Sequence, residues 1–160
     1  MLDRGDLTLC LALASVLVAG CGRGPADGEA SGGRAFELEL MAADRAFNEA
    51  TRSRGSSGWV SFFDSQGAMI QADRGEIRGL DPIGEAIAAL DGPGFTLTWE
   101  PLRAQGSDDG TLGYTVGRYV STVVLAADTT VSRGMYVSIW RRQPDGSLKV
   151  VMDLGNPVQG

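Results

Sequence analysis

The sequence has 160 residues, with 20 acidic and 14 basic side chains, a formal net charge of −6, two cysteines and no histidine. Without histidine there is no Ser-His-Asp or Cys-His relay and no zinc site built on imidazole, so acid–base work falls to Asp, Glu, Tyr or Lys149. An acidic chain without basic clusters does not seek phosphate backbones, which sets nucleic-acid partners aside.

Leu7 to Val18 is an apolar run too short to cross a hydrocarbon layer of about 30 Å. It leads into Leu17-Val18-Ala19-Gly20-Cys21, with small residues just ahead of the cysteine. The pattern resembles a bacterial lipoprotein signal, in which residues 1–20 are removed and Cys21 becomes the lipidated first residue. That resemblance implies an extracytoplasmic domain whose contact with the membrane is the lipid anchor alone. Gly22 carries no acidic retention signal, which favours the outer membrane of a Gram-negative envelope. Cys10 leaves with the signal and the Cys21 thiol is acylated, so the mature domain has neither free thiol nor disulfide. Residues 21–34, rich in Gly, Ala, Ser and Pro, form the lipidated cysteine and a flexible tether. Residues 35–160 remain as one domain, long enough for a single core.

Phe36, Leu40, Ala43, Phe47 and Ala50 recur at steps of four and three, and predict an amphipathic helix over 35–54, ended by Gly55 and Gly58. Asp44 and Glu49 fall on its polar side and make no convincing metal pair. Trp59, Val60, Phe62 and Phe63 suggest a second apolar helical turn, followed by a turn at Asp64-Ser65-Gln66-Gly67. Residues 68–71 and 76–78 read as a hairpin around Asp73-Arg74-Gly75. Asp81-Pro82 resembles a helix start, with Asp as cap and Pro at the first position, and Gly92-Pro93-Gly94 ends that third helix. The period then becomes strand-like over 95–105, 112–125, 131–142 and 148–154, with turn residues at 108–110, 126–130 and 144–146. Helices first and an antiparallel meander last give an α+β fold, with about three helices on one face of the sheet.

Six segments carry a further resemblance: A-A-D-R-A-F at 42–47, I-R-G-L-D-P-I at 77–83, L-T-W-E-P at 97–101, L-G-Y-T-V-G-R-Y at 112–119, W-R-R-Q-P-D-G at 140–146 and V-V-M-D-L-G-N-P at 150–157. In this order the chain resembles the nuclear transport factor 2-like superfamily, which includes SnoaL-like polyketide cyclases and ketosteroid isomerases, and in particular its uncharacterised branch. The resemblance implies a curved sheet wrapped around the helices as a cone, with ligands bound in the open mouth. It does not select an activity, because the fold hosts enzymes, binders and dimerisation modules.

Asp153 is the one candidate catalytic group. If it faces the cone, loss of water raises its pKa toward that of a useful base; related isomerases pair such an Asp with a Tyr donor. The alternative, and the preferred one, is a bond to the turn at Gly155-Asn156 or to an arginine. Tyr114, Tyr119 and Tyr136 are the possible phenol donors. Tyr114 and Tyr119 are an odd number of positions apart, so a regular strand points only one of them into the cone. Trp99 and Trp140 either line the mouth or belong to core or dimer face, and Glu100 is expected outward. No cofactor and no metal are called for. The preferred reading is a non-catalytic domain that binds a small, partly apolar ligand. An assembly module that dimerises through the outer sheet face ranks second, and a lyase or isomerase using Asp153 with a tyrosine third.

Overall fold

The apolar stripe of the N-terminal segment does form a helix. In the computed structural model, which describes residues 26–126 and 128–158, it is α1 (Ala26–Val60). The signal sequence, Cys21 and the first part of the tether lie outside the described residues. Residues 26–34, read from composition as tether, are part of α1. The helix does not end at Gly55 but turns there: Gly55 takes φ 60°, ψ −135°, a conformation that side chains disfavour, and helical geometry resumes to Val60. Asp91 holds the bend, accepting from the Ser56 amide at 2.8 Å and from the Ser56 hydroxyl at 2.5 Å. Beyond it, Gly58 lies so close to the incoming helix that a Cβ there would sit 2.0 Å from the Ala50 carbonyl oxygen. This close return brings the Trp59 ring to 4.8 Å from that of Phe47.

β1 (Phe63–Gln71) and β2 (Gly75–Arg78) form the expected hairpin. The turn expected at Asp64–Gly67 is instead an irregularity inside β1, where Asp64 Oδ1 accepts from the Gln66 amide at 2.8 Å. α2 (Leu80–Ala86) starts two residues earlier than expected, after Gly79 at φ 92°, and Asp81 makes no capping bond. It is followed by a 3-10 turn, Ala88–Asp91, so two α-helices and one 3-10 turn stand where about three helices were expected.

β3 (Phe95–Gly106), β4 (Leu112–Leu125), β5 (Asp128–Arg142) and β6 (Leu148–Pro157) make the antiparallel meander. The six strands lie in the order β2-β1-β6-β5-β4-β3, and β1 runs parallel to β6. The sheet is therefore mixed, not wholly antiparallel. The parallel pair forms because β1 and β6 start at the same end, with Phe63 opposite Val150 and the Val150 amide donating to the Phe62 carbonyl at 2.8 Å.

Two register shifts decide which side chains meet α1. In β3 the pairing passes from Pro101–Gly117 to Arg103–Val116, leaving Leu102 as a bulge. In β6 it passes from Val150–Trp140 to Met152–Ile139, leaving Val151 as a bulge. The second shift turns both Val150 and Asp153 toward the helices, three positions apart on one strand. The core joins Phe36, Leu40 and Phe47 of α1 to Phe63, Ile83, Trp99, Trp140 and Val150.

The return at Gly58 makes a testable demand. Gly58→Ala is expected to lower stability by about 2 kcal/mol or more, because the new methyl meets backbone. Gly33→Ala, with open space around its Cβ, is expected to be neutral or to stabilise by up to about 1 kcal/mol through helix propensity. Denaturant unfolding of the two variants checks both.

Candidate functional site

Between the helices and the concave face of the sheet lies a cavity of ≈ 450 Å³. α1 supplies Phe47 and Trp59, the 3-10 turn supplies Leu90, and β3 supplies Phe95, Leu97 and Trp99. The rings interlock: Trp99 lies 4.8 Å from Phe47 and 5.4 Å from Trp59, centroid to centroid. Tyr119, Tyr136, Ser138 and Asp153 add polar groups from β4, β5 and β6, and Gln71 and Asp73 line it from the β1–β2 hairpin.

Behind this wall sits Asp44, fully buried on α1. Trp99 Nε1 donates to its Oδ1 at 2.6 Å and the Tyr136 hydroxyl to its Oδ2 at 3.0 Å. Thr115 also donates toward this carboxylate. Burial pushes the Asp44 pKa up, and the three donors oppose that rise. The reading of Asp44 as a solvated helix residue is therefore wrong. The signal was present: Phe36, Leu40, Asp44, Phe47 and Thr51 are spaced by four, four, three and four, and all five are buried. A charge in that stripe asks for partners, but they lie 55 and 92 residues away in sequence.

Asp153 faces the cavity and accepts from the Ser138 hydroxyl at 2.6 Å. The preferred reading, a bond to the Gly155-Asn156 turn or an arginine, gives way to this one; among the described residues no salt bridge involves Asp153. Burial pushes its pKa up to about 7; the Ser138 bond lowers it and the Asp44 charge raises it. The Tyr136 hydroxyl is held above its ordinary value by burial first and by Asp44 second, so it remains a phenol.

Tyr119 and Tyr136 line the cavity, whereas Tyr114 points from the opposite face, donating to Gln105 Oε1 at 2.7 Å. Glycines seat the two inner rings. A Cβ on Gly117 would lie 2.4 Å from the Tyr136 ring, and one on Gly134 would lie 2.4 Å from the Tyr119 ring. Trp140 does not reach the cavity: it is fully buried in the core, its Nε1 donating to Thr115 Oγ1 at 3.0 Å. Glu100 points outward, paired with Arg45 at 3.0 Å. The outer face carries a shallower depression at Tyr114, Val116, Val137 and Ile139, with Leu112, Val120 and Met135 exposed on the sheet. Among the described residues no group of three or more His, Cys, Asp or Glu could hold a metal ion.

No family model and no curated protein matches the sequence. Solved structures do share its architecture. A ketosteroid isomerase-like protein from Erwinia carotovora atroseptica superposes with a TM-score of 0.65 at 12% identity, over 77% of this chain and 97% of that one. A nuclear transport factor 2 superfamily protein from Salmonella enterica gives 0.64 at 15% identity, over 79% and 94%. A nuclear transport factor 2-like protein with a cystatin-like fold from Novosphingobium aromaticivorans gives 0.64 at 13%, over 87% and 93%. The fold is nuclear transport factor 2-like, and at these identities the likeness extends to the fold alone.

The raised pKa of Asp153 has a measurable sign. Between its unfolded value near 3.8 and its folded value of about 7, the native state binds more protons, so this group's stability is full below the first and lost as pH rises through the second. Asp44 acts in the same direction, while Glu39, Asp91, Asp109 and Asp145, all lowered, act below about pH 4. Asp153→Asn keeps an acceptor for Ser138 and is expected to gain on the order of 2–4 kcal/mol over the native chain near pH 8, and little near pH 4. Urea unfolding at both pH values measures the difference.

Proposed function

We propose that the chain is an exported, lipid-anchored domain that binds a small, partly apolar molecule in the concave cavity. The observation that carries the reading is the cavity itself, ≈ 450 Å³ in size, with apolar and aromatic walls and a few polar groups. Such a lining holds a small molecule by area and orients it by a few polar atoms. The Leu17–Cys21 segment supports the anchor, which would hold the domain at the outer membrane.

One observation favours proton transfer as a second reading. Asp153 and the hydroxyls of Tyr119 and Tyr136 share the cavity, and a carboxyl with a pKa of about 7 is a competent base near neutrality. The reaction would be of isomerase or lyase type beside a carbonyl. Against it, Tyr136 and Ser138 already donate to carboxylates, which leaves an enolate to the Tyr119 hydroxyl and the Gln71 amide.

The neutral dye N-phenyl-1-naphthylamine tests the first reading. Its fluorescence is expected to rise on binding, and Leu97→Trp, which fills the cavity, to weaken binding by about tenfold or more without lowering the unfolding midpoint. A dye that stays dark in the native chain would remove the binding reading.

A further inference from the structure

The donors and acceptors at the polar end of the cavity are unequal, and the inequality selects a ligand. The Tyr136 proton points to Asp44 and the Ser138 proton to Asp153, at 3.0 and 2.6 Å. The Trp99 N–H is likewise directed at Asp44. What these groups still present to the cavity are lone pairs: those of Asp153, of the Ser138 hydroxyl and of the Tyr136 phenol. Tyr119 is the one lining hydroxyl without a hydrogen-bond partner among the described residues. An acceptor ligand such as a ketone would find the Tyr119 hydroxyl and the Gln71 amide as donors, with the Trp59 N–H buried and unpartnered in the wall, against the lone pairs of Asp153, Ser138 and Tyr136.

Charge points the same way. Asp153 and Asp73 line the cavity, Asp44 lies behind it, and no lysine or arginine is among the lining residues. A ligand carboxylate would enter a site of its own sign without a counter-ion. The walls add six aromatic rings, from Phe47, Trp59, Phe95, Trp99, Tyr119 and Tyr136. Aromatic faces beside a carboxylate favour a cation that must leave water.

Resting on the binding reading above, we infer that the ligand is a protonated amine with an apolar body, its ammonium donating to Asp153 and its body lying against Phe47, Trp59 and Leu97. An alcohol is the nearest rival, since it can also donate to Asp153, but it brings no charge to compensate the carboxylate. The groups that face Asp153 set its pH dependence. α1 presents Asp44, β4 presents Tyr119, β5 presents Tyr136 and Ser138, and the β1–β2 hairpin presents Asp73 near the rim. β3 and the 3-10 turn present apolar side chains, since Glu100 pairs with Arg45 and Asp91 holds Ser56. Asp44 opposes ionisation of Asp153, and an ammonium promotes it. Amine affinity therefore rises as pH rises through about 7, until the amine itself loses its proton.

The test uses the full chain and three molecules of one shape, 4-phenylbutylamine, 4-phenylbutan-1-ol and 4-phenylbutanoate, titrated calorimetrically. Near pH 8 the amine is expected to bind about tenfold tighter than the alcohol, with the acid weakest, and the advantage to shrink to about threefold or less near pH 5.5. Near pH 6.5 amine binding is expected to release a substantial fraction of a proton, read from the enthalpy in buffers of different ionisation heat, whereas the alcohol releases none. Asp153→Asn is expected to bind amine and alcohol alike, and the proton release in the native chain does not depend on that variant folding. An alcohol or acid that binds as tightly as the amine, or no binding by any of the three while N-phenyl-1-naphthylamine still binds, would overturn the inference and leave the binding reading standing. Failure of the neutral dye as well would remove both.

Discussion

A carboxylate buried in the core fixes this molecule's geometry. Asp44 occupies a core position of α1 and receives hydrogen bonds from Trp99 on β3 and Tyr136 on β5, with Thr115 on β4 donating toward it. An unpartnered charge in that place would cost far more than a marginally stable domain can supply, so the helix and the three strands must meet in one register. The same bonds hold the Trp99 and Tyr136 rings where they wall the cavity. The element that fixes the packing thereby also shapes the site.

Backbone irregularity does the rest. Strict alternation would have sent Asp153 to the face opposite Val150, and the bulge at Val151 brings both to the inner face. Gly117 and Gly134 leave the space in which the Tyr136 and Tyr119 rings lie across neighbouring strands. Side chains at those positions would collide with the two rings that line the cavity.

This explains what could and could not be read in advance. The α1 stripe, the hairpin at Asp73–Gly75 and the four long strands follow local rules of period and turn chemistry, and they are present. The opposite facing of Tyr114 and Tyr119 follows from parity, because β4 is regular over that stretch in its pairing with β5. The parallel β1–β6 pair was not legible, since which strand neighbours the hairpin depends on where α1 delivers the chain. Asp44 was misassigned because polar residues on helices are usually solvated, and its partners are far away in sequence. For Asp153, weighed both as a cavity residue and as a partner of the Gly155-Asn156 turn or an arginine, the preference falls on the second because a bulge has no signature as local as a turn. Trp140, weighed as a mouth residue, is held inside by Thr115 at the next strand.

The two carboxyl groups stand in unequal positions. Asp44 has its donors built into the fold, whereas Asp153 has one hydroxyl and an open cavity. Ionised, Asp153 has the Ser138 hydroxyl as its one donor among the described residues, and the destabilisation falls on the folded state as pH rises. Any ligand that supplies the missing positive or donor group relieves that destabilisation and binds with the free energy so released. A site of this kind trades stability of the empty chain for affinity, and the trade works only for ligands that bring a proton to Asp153. On the proposed amine reading, the side chain that weakens the fold near neutral pH is also the one that would give the cavity its selectivity.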